Sequence, residues 1–198
     1  VAAYTVSLLN PKVIRDLDLA GHGLKIVERR ALNFLPTEDG RYLLTGEGRT
    51  KSEIAKFSTK DADAYDAYGQ ELEAITDVLR DLVLQQPPNL VQGWNARSFR
   101  EALRLAFVGK RLRKLDMERQ RALLDLFAKS AADYLDGFFE SDPIKAVLGF
   151  DAVVGNYASP YTPNSAYVLL HHCFGEVNGK KGIWGHAIGG MGAITQAM

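Results

Sequence analysis

Helical periodicity after Ser58 does most to constrain what this chain can fold into. Large apolar residues recur there at steps of three and four, which places them on one stripe of an α-helix. They are Tyr65, Tyr68, Leu72, Ile75, Leu79 and Leu82. Ser58-Thr59-Lys60-Asp61 is a capping-box variant at the start of this helix, and Pro87-Pro88 stops it. The pattern predicts a long helix with one buried face.

Caps and prolines predict three more helices downstream. The predicted capping residues are Ser98, Asp116 and Ser141. The apolar stripe after Asp116 runs through Leu123, Phe127, Ala131, Tyr134 and Phe138, which predicts one continuous helix. The helix after Ser141 is predicted to cover 144–154, with Gly155 at its C-terminal cap.

Strand signals occur near both ends of the chain. Residues 24–28 and 42–45 are predicted strands, with a hairpin signal at Asp39-Gly40 and a further strand at 31–35. Residues 181–188 are also a candidate strand. The apolar stretch 166–174 favours a short buried helix, although a strand also fits. The predicted fold class is α+β: a mainly helical domain with a small antiparallel or mixed sheet.

Composition and charge exclude several classes of function. Twenty-four basic and twenty-four acidic residues cancel, so no global field attracts nucleic acid or anionic lipid, and only local patches could do so. No apolar run approaches the roughly 20 residues that span a bilayer. The single Cys173 excludes an internal disulfide, and its apolar neighbours predict an inert buried thiol. His171 and His172 are adjacent and point apart on a helix, so no metal site is expected.

The glycine-rich segment Gly189-Gly190-Met191-Gly192 lies at a predicted strand-to-helix junction. Glycines there allow the backbone to approach something flat or bulky, and the N–H groups of a helix start face a partially negative ligand. The alternative is a tight turn with Met191 packed in the core. The helix after it has about two turns before Met198, and the chain begins without Met. We therefore expect a piece of a longer protein.

Two further groups of polar residues have both a plain and a functional interpretation. His171 and His172 are either hydrogen-bonded core residues or residues of a pocket, and His186 is the better pocket candidate. A basic stretch is either a solvated helical face or a docking surface for an acidic partner or membrane. Its members are Arg97, Arg100, Arg104, Lys110, Arg111, Arg113, Lys114, Arg119 and Arg121.

Several motifs, in order along nearly the whole chain, resemble the middle section of the phytoene-dehydrogenase-like branch of the FAD-dependent amine-oxidase superfamily. They are Ser7-Leu8-Leu9-Asn10-Pro11, the segments 54–62, 139–146 and 151–155, Ser159-Pro160-Tyr161-Thr162-Pro163, the segment 167–172, Trp184-Gly185 and Gly189-Gly190-Met191-Gly192-Ala193. Together these stretches are specific, although none would be alone.

This resemblance implies a substrate-binding domain inserted into a Rossmann-type FAD domain, where flavin takes a hydride from a largely apolar substrate. Residues 1–188 would be the substrate domain, and 189–198 the start of the return to the FAD domain. Gly189, Gly190, Met191 and Gly192 would lie nearest FAD. The implied pocket wall contains Tyr157, Tyr161, His171, His172, Trp184 and His186. No catalytic residue is assigned, and FAD is not expected to bind this piece tightly.

The implied partners are a small apolar substrate and the FAD-binding domain of the same protein, with no nucleic acid. A cytoplasmic location is expected, or the mitochondrial matrix in a eukaryote. Two other functions remain open. One is a non-catalytic helical module that binds an acidic partner through its basic face. The other is a relative that binds flavin or lipid as a scaffold.

Overall fold

The structure is a computed structural model that describes residues 5–46, 48–80, 82–87, 89 and 96–198. Pro88 and the side chains of Arg97 and His172 lie outside the described part. The helices are α1 (Pro11–Asp16), α2 (Thr50–Ile54), α3 (Thr59–Arg80), α4 (Ala96–Leu112), α5 (Met117–Ala128), α6 (Ala131–Asp136), α7 (Asp142–Asp151), α8 (Tyr167–Cys173) and α9 (Gly192–Ala197). The strands are β1 (Ile26–Glu28), β2 (Ala31–Pro36), β3 (Tyr42–Gly46), β4 (Glu176–Val177), β5 (Lys180–Lys181) and β6 (Gly185–Ala187).

The main hydrophobic core forms around α3. As the periodicity predicts, Tyr68, Leu72 and Ile75 are buried on one stripe of this 22-residue helix. They pack with buried residues of α5, α6, α7 and α8 in one continuous cluster. The Tyr68 ring meets Phe139 edge-on, with the two ring centroids 5.3 Å apart. The core therefore joins helices that are distant in the sequence.

A buried carboxylate fastens the start of α3 to the turn before α7. Asp61 is fully buried and accepts hydrogen bonds from the N–H groups of Glu140 and Ser141, both at 2.8 Å, and from the Ser141 hydroxyl. Ser58 caps α3 by accepting from the Asp61 N–H at 3.1 Å, as predicted. Burial raises the pKa of the Asp61 carboxyl, but these hydrogen bonds outweigh it and hold the pKa below its usual value.

The strands form three antiparallel pairs in the described part of the chain: β1 with β6, β2 with β3, and β4 with β5. The hairpin signal at Asp39-Gly40 correctly marks the β2–β3 turn. A second, smaller hydrophobic cluster lies beside β1 and β6 and contains Val6, Leu19 and Ile194. The α+β class is confirmed, with separate strand pairs in place of one small sheet.

The single long helix predicted after Asp116 is wrong, because the chain breaks between α5 and α6. Lys129 is extended, and the buried Ser130 caps α6 by accepting from the Asp133 N–H at 3.1 Å. Apolar residues continue across the break because both helices pack on the same core, but the buried residues of α5 are Ala122 and Leu126, and Phe127 of the predicted stripe is 52% exposed. A serine N-cap inside an apolar pattern was the signal for this boundary.

Other helix and strand limits also differ from the prediction. The helix predicted from Ser98 begins at Ala96, and the helix after Ser141 ends at Asp151, so Gly155 lies beyond its cap. Within the stretch 166–174, Tyr167–Cys173 form the short helix α8, so the helical alternative is confirmed. The predicted strand 181–188 contains two short strands separated by Gly182, which has a φ of 67°. A positive φ interrupts a strand, which explains the division.

Candidate functional site

The glycine-rich turn connects β6 to α9, so the predicted strand-to-helix junction is confirmed. Gly189 and Gly190 have φ values of 86° and 79°, which favour glycine. The Ile188 N–H donates to the Lys25 carbonyl at 2.9 Å, and the Gly190 N–H donates to the Ala187 carbonyl at 3.0 Å. These bonds fix the turn at the end of the β1–β6 pair.

The outer side of this turn is open. Gly189, Gly190 and Gly192 are exposed, and a Cβ atom added at Gly190 or Gly192 would meet no atom within 4 Å. Met191 is half-buried and packs against the second hydrophobic cluster. The alternative reading of Met191 as a packed turn residue is confirmed. The three glycines leave a bare backbone surface that a flat group could approach.

Trp184 and His186 belong to the strand β6 and its entrance. Both side chains are half-buried, and His186 is paired with Val27 of β1. The Trp184 carbonyl accepts from the Arg29 N–H at 2.8 Å. Between them, Gly185 exchanges two backbone hydrogen bonds of 2.8 Å with Val6. These backbone hydrogen bonds hold the segment that carries the Trp184 and His186 rings.

Tyr157 and Tyr161 lie in the loop between α7 and α8. The Tyr157 side chain is fully exposed, and Tyr161 is 78% exposed. The loop is nevertheless anchored, because the Pro160 carbonyl accepts from the Ala132 N–H at 3.0 Å and from the Ser165 hydroxyl at 3.1 Å. A fixed loop therefore presents both phenol rings to the surface.

The implied pocket residues fall into two sets at opposite ends of α8. The tyrosine loop leads into the first residue of α8, and the Tyr167 ring there stacks on Phe127 with centroids 6.1 Å apart. After the last turn of α8, the Glu176 N–H donates to the Ser7 carbonyl. Ser7 follows Val6, whose backbone is hydrogen-bonded to Gly185, the residue after Trp184. His171 lies between the two sets and is exposed, so its interpretation as a core residue is wrong.

Cys173 lies at the end of α8, and its thiol donates to the Leu169 carbonyl at 3.5 Å. Burial, with the nearby Asp151 carboxylate as a smaller cause, raises the pKa of this thiol to about 11. Because only the thiolate is nucleophilic, the raised pKa supports the inert thiol predicted from the sequence, and Cys173 is half-buried and not fully buried.

Alkylation of the native protein by iodoacetamide at neutral to mildly alkaline pH is therefore expected to be about two orders of magnitude slower than alkylation of free cysteine. The protein has one cysteine, so mass spectrometry reports this site directly. The same reaction in denaturant is the control and should reach the rate of an ordinary thiol. Equal rates in the folded and unfolded states would contradict the assignment.

The basic stretch is divided between two helices and the turn that joins them. Within it, Arg104 pairs with Glu101 at 3.0 Å, and Arg119 pairs with Asp116 at 2.7 Å. Arg111 and Lys114 line an open surface pocket of about 470 Å³ together with Asp77, Val78, Arg80 and Lys181. No sequence pattern singles out Arg80 and Lys181, because α3 and β5 meet the Arg111 end of α4 only in the fold.

No group of three or more His, Cys, Asp or Glu side chains among the described residues is arranged to hold a metal ion. Of the helices that the structure describes, none has the length and apolar character needed to cross a membrane.

Comparison with known proteins gives a whole-chain match to one protein in two species. Pyridine nucleotide-disulfide oxidoreductase domain-containing protein 2 of Rattus norvegicus is 35% identical over 209 aligned residues, and that of Mus musculus is 36% identical. Each alignment covers 100% of this chain and 36% of the relative. An uncharacterized protein of Mycobacterium bovis is 24% identical over 99% of the chain and 34% of its own length.

No protein-family model matches the chain. The chain spans about a third of the length of the curated relatives that it matches. The chain is therefore homologous over its whole length to one section of the rat and mouse proteins named pyridine nucleotide-disulfide oxidoreductase domain-containing protein 2.

Proposed function

We propose that this chain is the substrate-binding section of a larger FAD-dependent oxidoreductase. The observation that carries the proposal is the match of its whole length to about a third of pyridine nucleotide-disulfide oxidoreductase domain-containing protein 2. Most of that relative lies outside the aligned section. The flavin would therefore be held mainly by segments outside residues 1–198, and these residues would cover its reactive side.

The glycine-rich turn fits the approach of a flavin. The bare backbone at Gly190 and Gly192 leaves free the space that side chains would fill, as close contact with a flat ring requires. Met191 would support the turn from the core side. When bound, FAD would supply hydride acceptance, and the protein would orient the substrate and exclude water.

The substrate would lie along α8. Tyr157 and Tyr161 at one end, and Trp184 and His186 at the other, offer rings that suit an apolar substrate, with His171 and His172 between them. The seven residues of α8 span about 10 Å. An elongated substrate would therefore contact both sets. The exposure of the two tyrosines is consistent with a pocket that another part of the protein completes.

The test uses the protein encoded by the whole gene. We expect it to purify with, or take up, FAD with its visible absorbance, whereas residues 1–198 mixed with FAD stay colourless after gel filtration. Gly192→Leu is expected to reduce flavin occupancy at least tenfold, because the added side chain enters the open space before the turn. Gly69→Leu is the matched control, since Gly69 is also exposed with no atom within 4 Å of its Cβ position.

Two outcomes would contradict the proposal. One is a stable yellow complex of FAD with residues 1–198, which would place the flavin site within this chain. The other is a whole-gene protein that stays colourless after incubation with FAD. The second result would favour the non-catalytic module, for which the basic pocket lined by Arg80, Arg111, Lys114 and Lys181 is the supporting observation.

A further inference from the structure

We propose that α4 docks this protein on an anionic membrane surface, with its apolar side in the lipid interface and its arginines at the lipid phosphates. The proposal concerns a surface separate from the pocket assigned to α8 and β6. It rests on the exposure, the spacing and the charge of the residues on one 17-residue helix.

The large apolar residues of α4 are left in solvent. Phe99 is 67% exposed, Leu103 56%, Phe107 47% and Leu105 45%. None of the described side chains of α4 belongs to either hydrophobic cluster. On α3, by contrast, residues at the same spacing are buried in the core. Concentrated apolar exposure of this kind marks an interaction surface.

Phe99, Leu103 and Phe107 share one side of the helix, whereas Leu105, two positions after Leu103, points to the opposite side. Phe99, Leu103 and Phe107 follow each other at steps of four, and the exposed Ala102 and Ala106 lie on the flank of the same stripe. The flank at Ala102 and Ala106 holds no bulky polar side chain, so the apolar stripe can insert into the membrane interface. Aromatic and leucine side chains on one side are typical of helices that lie in the plane of a membrane surface.

The other flank of the stripe is basic. Arg100 and Arg104 each follow a stripe residue by one position and so lie about 100° around the helix. Arg111, seven positions after Arg104, extends this basic flank, whereas Lys110 lies at the C-terminal end of the apolar stripe itself. The acidic residue of α4 is Glu101, which pairs with Arg104 at 3.0 Å. Long basic side chains beside an apolar stripe reach lipid phosphates while their stems stay in the interface.

Charge complementarity favours an anionic membrane over other occupants. A second copy of the chain would bring two arginine-rich flanks together, and like charges repel. An acidic protein segment would match the arginines but not the breadth of the apolar side.

The test is sedimentation of the whole-gene protein with vesicles. We expect at least tenfold stronger binding to phosphatidylcholine vesicles with about 30 mol% phosphatidylglycerol than to pure phosphatidylcholine vesicles. Phe99→Ser with Leu103→Ser should lower binding to the anionic vesicles at least tenfold, because the apolar anchor is removed. Arg100→Gln with Arg104→Gln should lower it about fivefold per charge and weaken its salt dependence.

Matched control variants carry the same chemical changes elsewhere. Leu8→Ser with Phe34→Ser removes two apolar side chains that are 46% and 63% exposed, and Arg15→Gln with Arg30→Gln removes two exposed charges. Neither pair should change binding by more than twofold. Circular dichroism of all variants checks that the helices persist, which is expected because the replaced α4 side chains are exposed.

A Leu103→Trp variant separates insertion from simple charge attraction. Its fluorescence should be quenched by bromine-labelled lipid in anionic vesicles, whereas a Leu8→Trp variant should not gain quenching. Equal vesicle binding by wild type and both α4 variants would overturn the proposal. It would also be overturned if the protein ignored vesicles but bound immobilised polyglutamate in an Arg100- and Arg104-dependent way, since that result identifies an acidic protein partner.

Discussion

Asp61→Ala is expected to lower the free energy of unfolding by about 3 kcal/mol and the melting temperature by roughly 6–12 °C. The loss arises because the N–H groups of Glu140 and Ser141 lose their acceptor in a buried position. It also disconnects the first turn of α3 from the start of α7, on which the α8 site rests. Calorimetry or thermal circular dichroism measures the shift.

Asp63→Ala on the same helix is the control, because Asp63 is exposed and its loss should change stability by less than about 0.5 kcal/mol. The conservative variant Asp61→Asn tests the charge. Its amide oxygen can still accept, but its NH₂ group faces donors, so it should recover only part of the lost stability. Equal melting temperatures for wild type and Asp61→Ala would contradict the structural role.

The pH dependence of stability should report the same carboxylate. The folded-state pKa of Asp61 lies below its usual value, so its contribution is complete above the unfolded pKa of about 3.9 and is lost as pH falls through the lower folded pKa. Wild type should therefore lose stability on acidification below about pH 4. Asp61→Asn should show a shallower loss over that range.

Gly185→Ala is expected to destabilise the protein by about 3 kcal/mol and to disturb the β1–β6 pair. A Cβ atom at this position would lie 2.6 Å from Ile26 Cγ2, 2.8 Å from the Val27 carbonyl oxygen and 3.2 Å from Val177 Cγ1. The backbone oxygen cannot rotate away as a side chain could. Relief would require β6 to separate from β1, which also moves the neighbouring Trp184 and His186.

Urea unfolding gives the change in stability, and Trp fluorescence gives the change around Trp184. Gly69→Ala is the contrasting variant, because Gly69 lies within α3 with no atom within 4 Å of its Cβ position. Alanine there should stabilise the helix by about 0.5–1 kcal/mol. If Gly185→Ala were as stable as wild type, the tight packing of β6 between Val6 and β1 would be wrong.

The helical part of the fold could be predicted from the sequence because its signals are local. The stripe on α3, the Ser58 cap and the proline after Asp142 each act within a few residues and require no knowledge of the rest of the chain. The break at Ser130 was missed because the same apolar stripe continues on both sides of it. The hairpin at Asp39-Gly40 was predicted, but the distant pairing of β1 with β6 was not.

The residues of the candidate site could be named from the sequence, but their arrangement in space could not. The glycine-rich junction before α9 follows from local chemistry, and the structure confirms it. The positions of Tyr157 and Trp184 at opposite ends of α8 depend on how the Pro160 loop and the Val6–Gly185 ladder are attached. Those attachments join residues far apart in the sequence, which periodicity does not encode.

The sequence by itself determined the helical stripes, the capping residues and the glycine turn, since each depends on interactions between near neighbours. Only the tertiary structure decided that Asp61 binds the turn before α7, that Arg80 and Lys181 join Arg111 in one pocket, and that the apolar side of α4 faces solvent while that of α3 is buried. The two helices carry similar apolar spacing. Which of them is covered depends on packing partners that the rest of the chain supplies.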